Sequence, residues 1–169
     1  MLRTPVVVVN FKTYPEATGE RAVQLARIIE SVALEYSVSV AVCPQHADLH
    51  RVASQVGIPV LAQHVDPLKP GRNTGWVTPA SVRAAGAVGT LINHSEHKIP
   101  HEQVKQAVEF CRAEGLASIV CAADVEESKA LATCSPDFIA VEPPELIGTG
   151  IPVSKAKPEI VSGSVEAIK

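Results

Sequence analysis

The apolar run Phe138-Ile139-Ala140-Val141 ends in Glu142, followed at once by Pro143 and Pro144 and then by a loop bearing Gly148 and Gly150. A carboxylate fixed at such an exit can serve as a general base. Prolines cannot donate to a strand ladder, so the strand has to stop at Glu142. The glycine-bounded loop offers N–H groups able to meet an anion. The plainer alternative is a rim salt bridge beside an ordinary surface loop. Asn93-His94-Ser95-Glu96 leaves a second apolar run, Leu91-Ile92, and His94 is expected near a helix N-terminus. The positive helix end there disfavours imidazolium and keeps a neutral donor available to polarise a carbonyl. Capping or packing is its ordinary fate. Lys12 follows Asn10 by two residues and shares its side if the chain stays extended. A lysine so placed could neutralise a phosphate or a developing enolate; otherwise it is a solvated lysine. His94, His97 and His101, with Glu96 or His64, also admit a metal reading. Against it stand the chain reversal it needs and the absence of an H-E-x-x-H pattern.

Six apolar runs place these residues at strand ends: 6–9, 38–42, 58–62, 88–92, 116–120 and 138–141. None alternates strictly with polar residues, which suits parallel strands covered on both faces. Between the first two runs, Ala22, Leu25, Ala26, Ile29, Val32, Ala33 and Tyr36 follow helical spacing. Val104, Ala107, Val108 and Cys111 do the same over 101–114, with Gly115 suited to the C-terminal end. Shorter helices are expected over 45–55, 78–85 with Pro79 in the first turn, 126–133, and after Pro158. Strands alternating with helices imply an α/β fold, either an open doubly wound sheet or a closed barrel. Polar groups leave nearly every run, at Asn10, Gln45, Gln63, His64, Asn93, Cys121, Asp124 and Glu142. A barrel collects its chemistry from many successive strands in this way, so the barrel is favoured.

The 169 residues, 46% hydrophobic and 20% charged, suffice for a single domain over 1–169. A net charge of −3 gives no footprint for nucleic acid, and 4% aromatic content gives no stacking surface. No stretch is long and apolar enough for a membrane span, and no secretory cleavage pattern follows Met1. Cys43, Cys111, Cys121 and Cys134 form no C-x-x-C pair. A soluble cytoplasmic protein acting on a small molecule is expected.

Asn10-Phe11-Lys12, Ala62-Gln63-His64, Thr74-Gly75, Asn93-His94-Ser95-Glu96 and Glu142-Pro143 through Gly148-Thr149-Gly150 together resemble the triosephosphate isomerase family, most closely its compact archaeal type. The resemblance extends over the whole chain. It implies a TIM (β/α)8 barrel that interconverts glyceraldehyde 3-phosphate and dihydroxyacetone phosphate in glycolysis and gluconeogenesis, without metal or organic cofactor. By resemblance, Glu142 is the base and His94 the neutral electrophile, roles for which this family is itself the standard case. Lys12 is then catalytic as well as substrate-binding, the cation for the phosphate and the developing negative charge, with Asn10 as its positioner in the substrate site; Gly148 offers its N–H to the phosphate, and Glu96 supports Lys12. Thr74 and Gly75 form the tip of a loop entering a neighbouring subunit, which implies a homo-oligomer, dimeric or tetrameric. His97 and Lys98 stand where the family usually has arginine, which puts a local salt bridge in question. A complete barrel has eight units and typically about 250 residues. About six are expected here, with the last two lacking, exposed edges at the first and sixth strands, and very weak activity if 169 residues are the whole protein. The alternatives are a truncated, catalytically defective phosphate-binding or oligomerising α/β protein, and a metal-dependent hydrolase.

Overall fold

The computed structural model describes residues 2–168. Met1 and Lys169, the ends of the expected domain, lie outside the described residues. Six strands form: β1 (Val6–Asn10), β2 (Ser39–Cys43), β3 (Leu61–Ala62), β4 (Gly89–Ile92), β5 (Ala117–Ala122) and β6 (Phe138–Val141). All are parallel. Val6 pairs with Ser39 and Asn10 with Cys43, an isolated bridge links Val42 to Val60, and β3 through β6 continue in sequence order. Strands adjacent in sequence are thus adjacent in space, the stave order of a barrel; a doubly wound sheet reverses its order at a switch point. β3 is shorter than the expected 58–62 because Pro59 has no N–H to give. Its carbonyl still accepts from Val42 at 3.0 Å, and the Val60 carbonyl accepts from Val88 at 2.9 Å.

The strand period of two sorts the core into an inner and an outer layer. Ala41, Cys43, Leu61, Leu91 and Ile119 point to the inside, while Val42, Ala62, Ile92 and Val120 face the helices. Gly89 makes room within the inner layer. A Cβ at this position would lie 2.6 Å from the Ala117 carbonyl oxygen and 3.0 Å from Leu61 Cδ2. At the two sheet edges packing is thinner: Val7 of β1 is 53% exposed, and every residue of β6 is half-buried.

Seven helices connect and flank the strands: α1 (Glu20–Glu35), α2 (Leu49–Ala53), α3 (Pro79–Ala84), α4 (His101–Ala113), α5 (Val125–Ala132), α6 (Val153–Ala156) and α7 (Pro158–Ile168). α1 presents most of the expected face, with Leu25 and Ile29 packed on the core beside the buried alanines, but departs from it at Val23, Val32 and Tyr36. It buries Ala22, Val23, Ala26 and Ala33, leaving Val32 and Tyr36 exposed. Small side chains let the helix axis settle closely on the sheet, which the larger residues at its C-terminal end would prevent. The segment expected over 45–55 splits into a 3-10 turn, His46–Asp48, and α2. α3 starts as expected, with Pro79 in its first turn and the Thr78 hydroxyl accepting from Ser81 N–H. α5 is capped by Asp124, whose carboxylate accepts from Glu127 N–H at 2.8 Å. α7 packs on α5 through small residues: Ser164 and Ser128 are buried with their hydroxyls 3.3 Å apart, and Gly163 lies against Val125. Among the described residues, no helix is long and apolar enough to cross a membrane.

The inner layer at Gly89 yields a stability test. Gly89→Ala must displace backbone as well as side chain, so the chain should lose about 2–3 kcal/mol in urea unfolding. An unchanged midpoint would show that the β4–β5 pair yields without cost.

Candidate active site

Asn10, Lys12, Gln63, His94, Glu96 and Glu142 all stand at or just after strand ends at the same rim, but the chain turns there more sharply than extended geometry allows. Lys12 has φ +48°, in the left-handed region. Asn10 holds this turn by accepting Lys12 N–H on Oδ1 at 2.9 Å, so the two residues do not continue a strand as expected. The turn sends the lysine across the rim, where Nζ meets Glu96 Oε1 at 2.8 Å. Gln63, at the exit of β3, stitches the same corner. Its Nε2 lies 2.9 Å from the Lys12 carbonyl, 3.0 Å from the Cys43 carbonyl and 3.3 Å from Asn10 Oδ1. In the sequence it was one polar strand end among several; a lone amide directly after an apolar run is the signal that could have marked it.

His94 is set by its neighbours on both sides. Asn93, 2% exposed with φ +62°, uses all of its side-chain hydrogen-bonding groups. Nδ2 donates to the Cys121 carbonyl at 3.0 Å and to Glu127 Oε1 at 3.2 Å, and Oδ1 accepts Ile99 N–H at 3.1 Å. Asparagine tolerates the left-handed region better than most residues, and these bonds fix it there. α4 begins only at His101, so the expected helix N-terminus is not beside His94. A tight turn replaces it: Glu96 N–H donates to His94 Nδ1 at 3.1 Å. With Nδ1 accepting, the neutral ring carries its proton on Nε2. That nitrogen faces Glu142 Oε2 at 3.5 Å.

Glu142 emerges from β6 with its N–H bonded to the Ala122 carbonyl at 2.7 Å, and its buried Oε2 has no hydrogen-bond partner. Pro144–Leu146 form a 3-10 turn, followed by Gly148 with φ +74° and Gly150 with φ +73°. A Cβ on Gly148 would meet nothing within 4 Å, so conformation rather than space calls for glycine. A cleft of about 1010 Å³ opens beside His94, lined by Lys12, Gln63, His64, Thr74, Gly75 and Glu96 among others. Glu142 and Gly148 are not among its lining residues. Thr74 and Gly75 sit on the long 66–77 loop, beside the 60% exposed Trp76.

Of the histidines weighed as metal ligands, only His64 and His97 meet, ring against ring, and His94 and His101 turn to other partners. His94 faces Glu142, His97 stacks on His64, and His101 Nε2 lies 3.2 Å from the Ala130 carbonyl. Among the described residues, no group of three or more His, Cys, Asp or Glu side chains is arranged to hold a metal ion. All four cysteines are free and buried. Burial pushes the Cys43 thiol up to about 12, and burial followed by the nearby Glu142 carboxylate pushes Cys121 higher still, so neither is a thiolate nucleophile near neutrality.

The salt bridge put in question by the sequence is present in another form. Lys98 Nζ lies 2.7 Å from both carboxylate oxygens of Glu127. Glu127 also accepts Ala123 N–H on Oε2, tying the exits of β4 and β5 together through Asn93. Nothing in the sequence flagged Glu127, whose partners come from segments remote along the chain. Burial opposes its ionised form, but Lys98, Ala123 N–H and Asn93 prevail and hold the carboxyl below its ordinary range. The ion pair's contribution is therefore present above the unfolded carboxyl value and lost as pH falls through the lower folded value. Both side chains are about a third exposed, so Lys98→Met should cost only about 1 kcal/mol at neutral pH. The cost should shrink in acid when urea midpoints are compared at the two pH values. A loss of equal size at both would remove charge from the explanation.

Comparison with known proteins agrees with this arrangement. The family described as triosephosphate isomerase matches residues 5–169. The chain is 53% identical over 165 residues to a triosephosphate isomerase of Methanobacterium bryantii, covering 98% of this chain and 73% of that protein. It is 52% identical to one from Methanothermus fervidus, covering 98% of this chain and 74% of the relative. For one from Methanopyrus kandleri the identity is 53%, with 100% of this chain and 76% of the relative covered. In fold order, in the residues gathered on one rim and in sequence, the chain belongs to the triosephosphate isomerase family.

Proposed function

We propose that this chain interconverts D-glyceraldehyde 3-phosphate and dihydroxyacetone phosphate by proton transfer through an enediolate, acting as one β/α-barrel domain in the cytoplasm. The carrying observation is Glu142 Oε2, buried without a hydrogen bond and facing His94 Nε2 at 3.5 Å. A base needs a free lone pair beside the carbon acid, and the adjacent carbonyl needs a donor that does not give its proton away prematurely. In this reading Glu142 removes a proton from the carbon next to the carbonyl, and His94 Nε2–H donates to the oxygens as negative charge grows on them. The same carboxyl then returns a proton to the neighbouring carbon while a proton passes between the two oxygens by way of His94 and the double bond shifts from one C–O to the other through the C=C enediolate, so nothing leaves and nothing is oxidised overall. Lys12, held by Asn10 and Glu96, supplies positive charge toward the phosphate and the enediolate. The Gly148 N–H is a second phosphate donor, on a loop that can close and keep water from an intermediate prone to eliminate phosphate.

The assembly is proposed to be a homo-oligomer in which the 66–77 loop of one copy enters the cleft of another. Supporting this are Thr74 and Gly75 on that loop and the exposed rings of Trp76 and Tyr14 at the cleft.

Two experiments test these statements. In a coupled isomerase assay, Glu142→Gln should lower kcat by about two to four orders of magnitude without altering thermal unfolding. Retained turnover would remove Glu142 as base, and binding of a phosphate analogue by the unmodified chain without any turnover would contradict the isomerase reading. In sedimentation, Thr74→Arg should shift the chain from a dimer or tetramer toward monomer. An unchanged distribution would place the interface elsewhere.

A further inference from the structure

His64 and His97 line the same cleft as His94 but have no part in the reaction described above. His64, 8% exposed, is held on three sides. Its Nε2 lies 3.1 Å from Asp66 Oδ1, its carbonyl contacts His46 Nε2 at 2.7 Å, and its ring stacks on His97 with centroids 4.0 Å apart and planes inclined by 21°. Asp66 also closes the 66–77 loop: Oδ2 accepts Val77 N–H, and Asp66 N–H donates to the Val77 carbonyl, each at 2.7 Å. On the other side, His97 directly follows Glu96, the carboxylate on Lys12, and its N–H donates to the His94 carbonyl at 2.7 Å. The stack thus joins the 66–77 loop to the turn that carries His94 and Glu96.

We propose that His64 and His97 are positioning residues for the isomerase site, a stacked pair that holds the His94–Glu96 turn against the 66–77 loop and releases it when His64 takes up a proton. The inference rests on the isomerase reading above. Neutral rings at this separation attract through stacked faces. A positive charge on the buried His64 ring would face the His97 ring, which is solvent-exposed, and like charges there would repel with solvent screening on the His97 side. The charged and titratable groups around the pair are Asp66 on the same loop, His46 after β2, His94 and Glu96 after β4, and Lys12 after β1. For His64, burial outweighs the favourable Asp66 carboxylate and, with His97 and His46, lowers its pKa from the ordinary imidazole value. The unfolded chain therefore binds that proton first. The contribution of His64 is in place at neutral pH and is lost as pH falls from the ordinary imidazole value through the lower folded one.

The test uses the full chain with His97→Ala, which removes the stack, and His97→Phe, which keeps a ring that cannot be protonated. At neutral pH, His97→Ala should lower kcat on dihydroxyacetone phosphate about tenfold with a smaller change in KM, and His97→Phe should restore most of the loss. On acidification, kcat should fall less steeply for His97→Phe than for the unmodified chain. Undiminished kcat in His97→Ala, or an acid limb in His97→Phe identical to that of the unmodified chain, overturns the proposal. Ring-proton NMR titration decides the stack without turnover. The His94 signals should move with His64 protonation in the unmodified chain but not in His97→Ala, and identical His94 behaviour in both overturns the pairing. Absence of turnover in the unmodified chain at neutral pH would instead overturn the isomerase reading.

Discussion

Parallel pairing in sequence order constrains everything else in this molecule. Because β1 through β6 run the same way, all six carboxyl ends meet one rim, and the chain must leave that rim within a few residues to begin each return. The sharpest departures are made in left-handed conformations, at Lys12, Asn93 and Gly148. For the two that are not glycine this conformation is unfavourable by roughly 1–2 kcal/mol. Asn10 offsets it at Lys12, and the three side-chain hydrogen bonds of Asn93 offset it there. The directions of Lys12 and His94 are therefore fixed in the backbone before any ligand arrives, which is the preorganisation that charge-stabilising catalysis requires.

The charges on the rim are paired so that one carboxylate is left over. Lys12 is engaged by Glu96, and Lys98 by Glu127. Glu142 Oε2 is left facing a histidine, with no hydrogen bond of its own. Had either lysine reached Glu142, the carboxylate would have been taken up in a structural ion pair like the other two. The tautomer of His94 belongs to the same logic. The Glu96 N–H fills Nδ1 and leaves Nε2–H facing Glu142 across the rim.

What could be read from the sequence followed from local signals. The two prolines after Glu142 marked the end of β6, Thr78-Pro79 marked the start of α3, and the parallel strands were legible in apolar runs that lack strict polar alternation. The composite of short motifs led to the family. Less legible was what depends on distant partners. Pro59 removed half of the expected β3, α1 buried Val23 in place of Tyr36, and Lys12 left the extended path because Asn10 bent it. Gln63 and Glu127 were invisible as organisers because their hydrogen bonds reach segments far away along the chain.

The central claim is that Glu142 and His94 move a proton between adjacent carbons through an enediolate that exchanges with solvent. It is tested most directly by running the reaction in deuterated water with dihydroxyacetone phosphate and examining the product by NMR. The account predicts deuterium bound to carbon next to the product's carbonyl. Turnover with complete retention of the original hydrogen and no solvent label would point to a direct hydride shift and contradict it.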